Sequence, residues 1–324
     1  MSGYGTPEVV ATGLRFPEGP VALADGSVLL VEIARGTLTR VSPDGTLAVV
    51  AELGGGPNGL AIGPDGAAYV CNNGGFQWHE AGGLLFPGHA ANDKACGSIQ
   101  RVDLTTGDVT TLYDSFEGER LKGPNDLVFD AHGGFWFSDH GQVRDSGRDH
   151  GALYHAAADG SRISRQRAQM MGPNGVGLSA DGRTLFVSET MTARLWAMEI
   201  VSPGVLAPPG PWSPGRFIGT PPAFRLLDSL AVEESGHVCV ATMVEGGISI
   251  FGPDGDQAFL PLPDIGITNI CFGGPDRRDA YVTASTTGTL YRIRWPRPGV
   301  PLHNSSIKLT IAGEWPYREA RGRA

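Results

Sequence analysis

Residues 123–139 read "GPNDLVFDAHGGFWFSD". Proline fixes its own φ and favours an extended residue before it, so Gly123-Pro124 makes a stiff lead into Asn125. Asn125 opens an apolar run, a His-Gly pair arrives seven residues on at His132-Gly133, and a second apolar run returns. Glycine tolerates positive φ, so the pattern reads as two strands joined by a tight turn. The phrase recurs as "GPNGL" at 56–60 and "GPNGV" at 172–176, with Asp-Gly seven residues past Asn58 and Asn174. Looser copies are "PEGPVALADG" at 17–26, "LDSLAVEESG" at 227–236 and "TNICFGGPD" at 268–276. They put Glu18, Asp228 and Asn269 in the position that the asparagines hold elsewhere. The six slots are thus Glu18, Asn58, Asn125, Asn174, Asp228 and Asn269, spaced by 40, 67, 49, 54 and 41 residues.

Every copy continues in the same way. A second run ("SVLLVEI", "AAYVCN", "GFWFSD", "TLFVSE", "HVCVAT", "DAYVTA") is followed by a third that usually begins with Gly ("GTLTRV", "GSIQRV", "GALYHA", "GGISIF", "GTLYRI"). The fourth copy has "ARLWAM" there, without the Gly. A polar turn and, in most copies, a fourth run complete the unit. Four short strands repeated at this period make a propeller blade. The chain is therefore expected to be all-β: a six-bladed β-propeller of four antiparallel strands per blade, forming a single domain over residues 1–324. Blades start near residues 18, 58, 125, 174, 228 and 269. The sixth copy lacks a fourth strand, and "PEVVATGL" at 7–14 resembles one, so this N-terminal segment is expected to close the ring and remove an open sheet edge. Residues 296–324 read as a C-terminal tail, with one further strand expected at "SIKLTIAG".

Composition limits the functions. Of 324 residues, 25 are Lys or Arg and 34 are Asp or Glu, a net charge of −9 with no basic run. That excludes nucleic acid and anionic membrane surfaces as expected partners. No apolar run approaches the length needed to span a bilayer, and no signal peptide is visible. Cys71, Cys96, Cys239 and Cys271 lack CxxC spacing and read as free thiols of a cytoplasmic protein; the alternative is a Cys71–Cys96 bridge.

In a propeller the first strand of each blade lines the central channel. Six slots at the start of that strand then lie at one depth, around one mouth. The long second-to-third-strand loops at 72–96 and 139–150 belong to the same mouth and read as lids. One Asn at such a place is a turn former. Six polar slots, two of them carboxylates, offer oxygen donors only, which suits one hard divalent cation. Ca²⁺ is expected first, with Mg²⁺, Mn²⁺ or Zn²⁺ as alternatives.

The combination "FPEGP", "GPNDLVFD", "FSD", "PNGVGLSADGRTLFVSET" and "LDSLAV" resembles the senescence marker protein (regucalcin)/gluconolactonase family of six-bladed propeller hydrolases, over nearly the whole chain. The resemblance implies a metal held by Glu18, Asn125, Asn174 and Asp228. It also implies a divalent-metal-dependent hydrolase, a lactonase opening a small or sugar-derived lactone by metal-assisted attack of water. Where members often carry Thr-Asp-Pro, this chain has "FSDHG", which puts His140 there.

Asp228 and His140 are then the candidate catalytic residues. Asp228 would orient or deprotonate the water, and His140 is the other candidate base because an ordinary imidazole titrates near neutrality. Asn58, Asn125, Asn269, His140 and Trp78 are expected to bind substrate, although Trp78 and Phe86 could equally pack the lid down. Glu32, Asp139 and Glu189, at the ends of second strands, could support the site from behind. The expected partner is a small lactone or ester, with the chain a monomer or weak homo-oligomer. The rivals are a phosphotriesterase or aryl esterase on the same metal, and a metal-stabilised binding propeller without turnover.

Overall fold

The computed structural model describes residues 3–305, 307, 309–311 and 315–316. Among these, every regular element is a strand. Blade 1 comprises Pro17–Ala22, Val28–Glu32, Thr37–Val41 and Leu47–Glu52, from the axis outward. Blade 2 continues with Pro57–Ile62, Ala68–Asn72, Ser98–Val102 and Val109–Tyr113. Blade 3 is Pro124–Phe129, Gly134–Asp139, Gly151–Ala157 and Ile163–Met170. Blade 4 is Pro173–Leu178, Thr184–Glu189, Arg194–Ser202 and Arg216–Gly219. Blade 5 is Leu226–Val232, Val238–Met243, Gly247–Phe251 and Gln257–Pro261. Blade 6 has Ile267–Gly273, Asp279–Ala284 and Thr289–Arg294, and takes Glu8–Ala11 as its outer strand. Glu8 pairs with Arg292 and Val9 with Tyr291, so the N-terminal segment closes the ring as expected. The inner strands touch in cyclic order, with blade 6 back against blade 1.

Alternation along each strand sends one face to each neighbouring blade, and the core is a set of wedges between blades. Tyr69, Phe129, Phe135, Phe137 and Tyr154 fill the wedge between blades 2 and 3, where Phe137 stacks on Tyr154 with centroids 5.0 Å apart. Burying each such aromatic contributes about 2–3 kcal/mol. The turn glycines have left-handed backbone: φ is 84° at Gly26, 76° at Gly66, 79° at Gly133, 67° at Gly182 and 85° at Gly236. In blade 4, where the Gly-led third run is missing, Ala193 takes φ 51° instead.

Two expectations need correction. The loops at 72–96 and 139–150 contain hairpins of their own. Phe76–Ala81 pairs with Leu84–Ala90 around Gly82-Gly83, and Val143–Arg144 pairs with Gly147–Arg148. The strand expected at "SIKLTIAG" is absent from its described residues, 307 and 309–311. Trp315–Pro316 instead pairs with Val49 and Ala48 on the outer strand of blade 1.

The tail also has a path the sequence did not suggest. It crosses the floor of the channel, with Val300 N–H donating to Val232 O at 2.8 Å and Asn304 Nδ2 donating to Ile62 O at 3.1 Å. Val300, Leu302, His303 and Ser305 thereby line the lower end of a channel cavity of about 100 Å³, mostly walled by inner-strand apolar residues. Arg297 anchors this crossing on the buried Glu233 carboxylate, which also accepts from Trp295 Nε1 at 2.7 Å. All four cysteines are free thiols; Cys71, Cys239 and Cys271 are buried.

Candidate active site at the channel mouth

The six slot residues each occupy the first turn of an inner strand, and all are buried. The strand pairing shifts at every slot: between Glu18 and Val21, Pro57 and Leu60, Pro124 and Leu127, Pro173 and Val176, Leu227 and Leu230, and Ile267 and Asn269. Such a bulge breaks the ladder locally and re-aims a side chain. Here it frees the slot from the blade's alternation. The residue after three of the slots is glycine because neighbouring inner strands nearly touch there. A Cβ on Gly59 or Gly175 would stand 2.5 Å from Asn125 O or Leu230 N, and one on Gly19 2.6 Å from Asn58 O.

A second repeated device holds the slots in place. In four blades the last residue of the second strand accepts backbone N–H groups from the chain leading into the slot. Glu32 accepts from Arg15 at 2.7 Å, Asn72 from Gly56 at 2.9 Å and Glu189 from Met171 at 2.7 Å. Asp139 accepts two from that chain, Lys122 at 2.8 Å and Gly123 at 2.7 Å, and a third from Gly141 of its own loop at 3.0 Å. Hydroxyls then tie blade to blade. Ser138 Oγ donates to Asn174 O, Ser188 Oγ to Asp228 O and Ser285 Oγ to Pro17 O, each at 2.5 Å. These serines were not singled out from the sequence; Ser138 and Ser188 carry a signal, the recurring Ser just before the acid in "FSD" and "VSE", and Ser285 does not.

The slot side chains differ in their bonds. Asn269 Nδ2 donates to Glu18 Oε2 at 2.8 Å, and its Oδ1 accepts from Ile270 N–H at 2.8 Å, so its amide serves Glu18. Asn174 donates to Thr190 Oγ1 at 3.2 Å and accepts from Ser229 Oγ at 3.3 Å. Asn58 hydrogen bonds through its side chain to no described residue. Asn125 Oδ1 is buried with no hydrogen-bond partner among the described residues. Asp126, beside it, accepts from Leu127 N–H at 2.9 Å and Val176 N–H at 3.3 Å.

Three carboxyl groups, Glu18, Asp126 and Asp228, are concentrated here, and none pairs with a Lys or Arg among the described residues. Burial raises the Glu18 carboxyl above its ordinary value, against the bonds from Asn269 and Gly19. Burial and then the Glu18 charge push Asp228 well up, against its bond with Asn174. The same two causes push Asp126 up to about 7. No three His, Cys, Asp or Glu gather as a metal-holding group among the described residues. A donor set here has to include carboxamides. Two carboxylates that resist ionising together, and an Asn oxygen with no donor, fit a divalent cation in charge and in donor chemistry.

The lids lie over this mouth and clasp one another. Arg144 donates to the carbonyls of Asp93 at 2.9 Å and Ala95 at 2.8 Å, and His89 Nδ1 meets Asp145 Oδ1 at 2.8 Å. The first lid reaches across to blades 1 and 6: Leu85 N–H donates to Thr286 O at 2.9 Å, and Leu85 packs with Phe16 and Ile33. Trp78 is half-buried against Phe16, two residues before Glu18, with centroids 5.2 Å apart, and meets Phe76 at 6.0 Å. It packs the lid down. His140 lies under the second lid against the start of blade 4, where a Cβ on Gly172 would be 2.9 Å from its Nε2. Its Nδ1–H donates to Gly141 O at 3.2 Å, which leaves Nε2 to accept from Arg148 Nη2, also at 3.2 Å. Burial and the Arg148 charge push His140 down to about 4, so its imidazole is neutral at pH 7.

Comparison with known proteins agrees with this architecture. The chain is 26% identical over 297 residues to a gluconolactonase from Zymomonas mobilis, covering 82% of this chain and 75% of the relative. It is 28% identical over 265 residues to the lactonase drp35 of Staphylococcus saprophyticus, covering 80% of this chain and 74% of that one. It is 29% identical over 210 residues to diisopropyl-fluorophosphatase of Loligo vulgaris, covering 60% and 64%. Among solved structures, a gluconolactonase from Xanthomonas campestris superposes with a TM-score of 0.70 at 22% identity, covering 91% of this chain and 90% of that one. Regucalcin from Agrobacterium tumefaciens, described as a calcium-binding protein, gives 0.66 at 19% identity, covering 93% and 98%. The SMP-30/Gluconolactonase/LRE-like region matches residues 16–286, and the chain belongs to that family.

Proposed function

We propose that this protein is a divalent-metal-dependent lactonase. The observation that carries the reading is Asn125 Oδ1, without a hydrogen-bond partner among the described residues, in a ring that also buries Glu18 and Asp228. Relatives bearing the names gluconolactonase and lactonase support the choice of lactone as substrate class. Glu18, Asn125, Asn174 and Asp228 would hold the cation, Ca²⁺ in the first place. When bound, a divalent cation polarises a carbonyl oxygen and stabilises the negative charge that develops there, worth several kcal/mol.

The chain's own residues supply the rest. Asn269 keeps Glu18 oriented through its 2.8 Å bond. Asp228 aligns a water molecule and takes its proton as the water attacks the lactone carbonyl carbon. The ring C–O bond then breaks, and the proton passes to the departing alkoxide. The amides of Asn58 and Asn125 are free to donate to substrate oxygens. Of the two bases expected from the sequence, Asp228 is preferred. The Nε2 of His140 is engaged by Arg148, and a group pushed down to about 4 is a weak base.

The test is turnover of a panel of γ- and δ-lactones before and after EDTA, with Ca²⁺, Mg²⁺, Mn²⁺ or Zn²⁺ restored. Loss in EDTA and recovery with a metal are expected. Lactone turnover undiminished in EDTA rejects the metal. The relationship to diisopropyl-fluorophosphatase makes organophosphates the second substrate class for the panel. Turnover of these alone would replace the lactonase reading.

A further inference from the structure

Arg148 lies on the second lid and forms no ion pair among the described residues. Its neighbouring acids are already engaged: Asp149 Oδ2 takes Arg144 Nε and Gln142 N–H, each at 3.4 Å, and Asp145 takes His89. The hydrogen bonds of Arg148 to described residues all come from Nη2 and all go to His140: to Nδ1 at 3.1 Å, Nε2 at 3.2 Å and the carbonyl O at 3.5 Å. Nδ1 spends its proton on Gly141 O, so Nε2 is the real acceptor. Nε is buried with no partner among the described residues. Nη1 bonds to no described residue.

A buried N–H such as Arg148 Nε–H without an acceptor is costly, and proteins keep such groups where something supplies the acceptor. Its position says where. A Cβ on Gly172 would stand 2.9 Å from Nη2, and Gly172 is two residues before Asn174. Two residues span at most about 7 Å. The guanidinium therefore stands at the wall of the mouth, beside the ring but outside it. The six slot side chains are carboxylates and carboxamides, so the positive side chain beside them comes from the lid. Neutral His140 holds the guanidinium by one Nη2 hydrogen and leaves the second Nη2 hydrogen free to pair with the neighbouring Nε or Nη1 hydrogen.

We infer that Arg148 binds an anionic group of the substrate, a carboxylate or phosphate, while the substrate's carbonyl lies over the slot ring. The inference rests on the lactonase reading and narrows its substrate class to lactones with an acidic substituent. Guanidinium and carboxylate or phosphate match in charge and in planar, paired donor geometry. His140 is the positioning residue for Arg148.

The experiment compares kcat/KM for matched lactones: one neutral, one carrying a carboxylate and one carrying a phosphate ester. Wild type, Arg148→Met and Arg148→Lys are compared, with phosphate and glutarate binding measured by calorimetry on each folded protein. Wild type is expected to favour one anionic lactone by about 10- to 100-fold, a charge-assisted bond's worth, expressed in KM. Arg148→Met should lose that preference and Arg148→Lys should retain part of it; which anion is preferred separates carboxylate from phosphate. If lactones turn over but wild type shows no anionic preference, or Arg148→Met keeps it, the inference fails and the lactonase reading survives. If nothing turns over yet wild type binds phosphate or glutarate and Arg148→Met does not, the anion site stands and the lactonase reading fails. Absence of both turnover and anion binding overturns both.

Discussion

In the proposed lactonase, Asp228 is under opposite demands in folding and in chemistry. Burial and the Glu18 charge make its ionised form unfavourable in the metal-free protein. Asp228→Asn removes one of the two like charges and keeps the shape. Metal-stripped Asp228→Asn should therefore be more stable than metal-stripped wild type, by about 0.5–2 kcal/mol, while its lactone turnover falls at least about 100-fold. Thermal melts in EDTA and steady-state assays measure the two effects. Lower stability together with retained activity would remove Asp228 from the site. The identities of the slot residues were legible in the sequence because the Gly-Pro-Asn phrase repeats in register with Glu18 and Asp228. Their separate hydrogen bonds were not. Asn269 turning its amide onto Glu18, and His140 giving its free nitrogen to Arg148, depend on groups 251 and 8 residues away in sequence, which no local pattern specifies.

Strands and turns carry the second kind of information. The blade pattern predicts the strands well because period-two burial and turn glycines are local properties. The bulge at each slot was hidden, and so was the close approach of neighbouring inner strands at Gly19, Gly59 and Gly175, because both depend on strands distant in sequence. The hairpins within both lids were hidden too, although Gly82-Gly83, with φ 60° and 78°, is the turn signal of the first. Two substitutions probe these elements. Asp139 accepts three backbone N–H groups, so Asp139→Ala should cost roughly 2–4 kcal/mol in denaturant unfolding by orphaning buried donors. A loss below about half of one kcal/mol would contradict the clamp. Ala193→Gly should raise stability by about 0.5–1 kcal/mol, because the residue already has φ 51° and glycine relieves that strain at a smaller entropic cost. A fall in stability would contradict it.

Across the whole molecule, six blades close into a ring by means of Glu8–Ala11, and the tail crosses the floor, where Val300, Leu302, His303 and Ser305 line the lower end of the channel. Ring closure was legible because blade 6 lacked a strand and the N-terminus offered one. The floor crossing was not, since it depends on Glu233, whose partners Arg297 and Trp295 lie 64 and 62 residues away. Burial would raise Glu233, but Arg297, Trp295, Ser235 and Cys239 outweigh it and hold the carboxyl below its ordinary value. A depressed carboxylate contributes stability that is present above its unfolded pKa, near about 4.3, and lost as pH falls through the folded value. Glu233→Gln should therefore lower stability at pH 7 and flatten the loss of stability below about pH 4. An unchanged acid limb would show that the anchor is not needed. The proposed activity requires the six-slot ring to hold one divalent cation. Calorimetric titration of Ca²⁺ into the EDTA-stripped protein and into Asp228→Asn tests it most directly. One equivalent bound by wild type, and binding weakened at least about tenfold in Asp228→Asn, is the result predicted. No binding by wild type, or equal binding by both proteins, would contradict it.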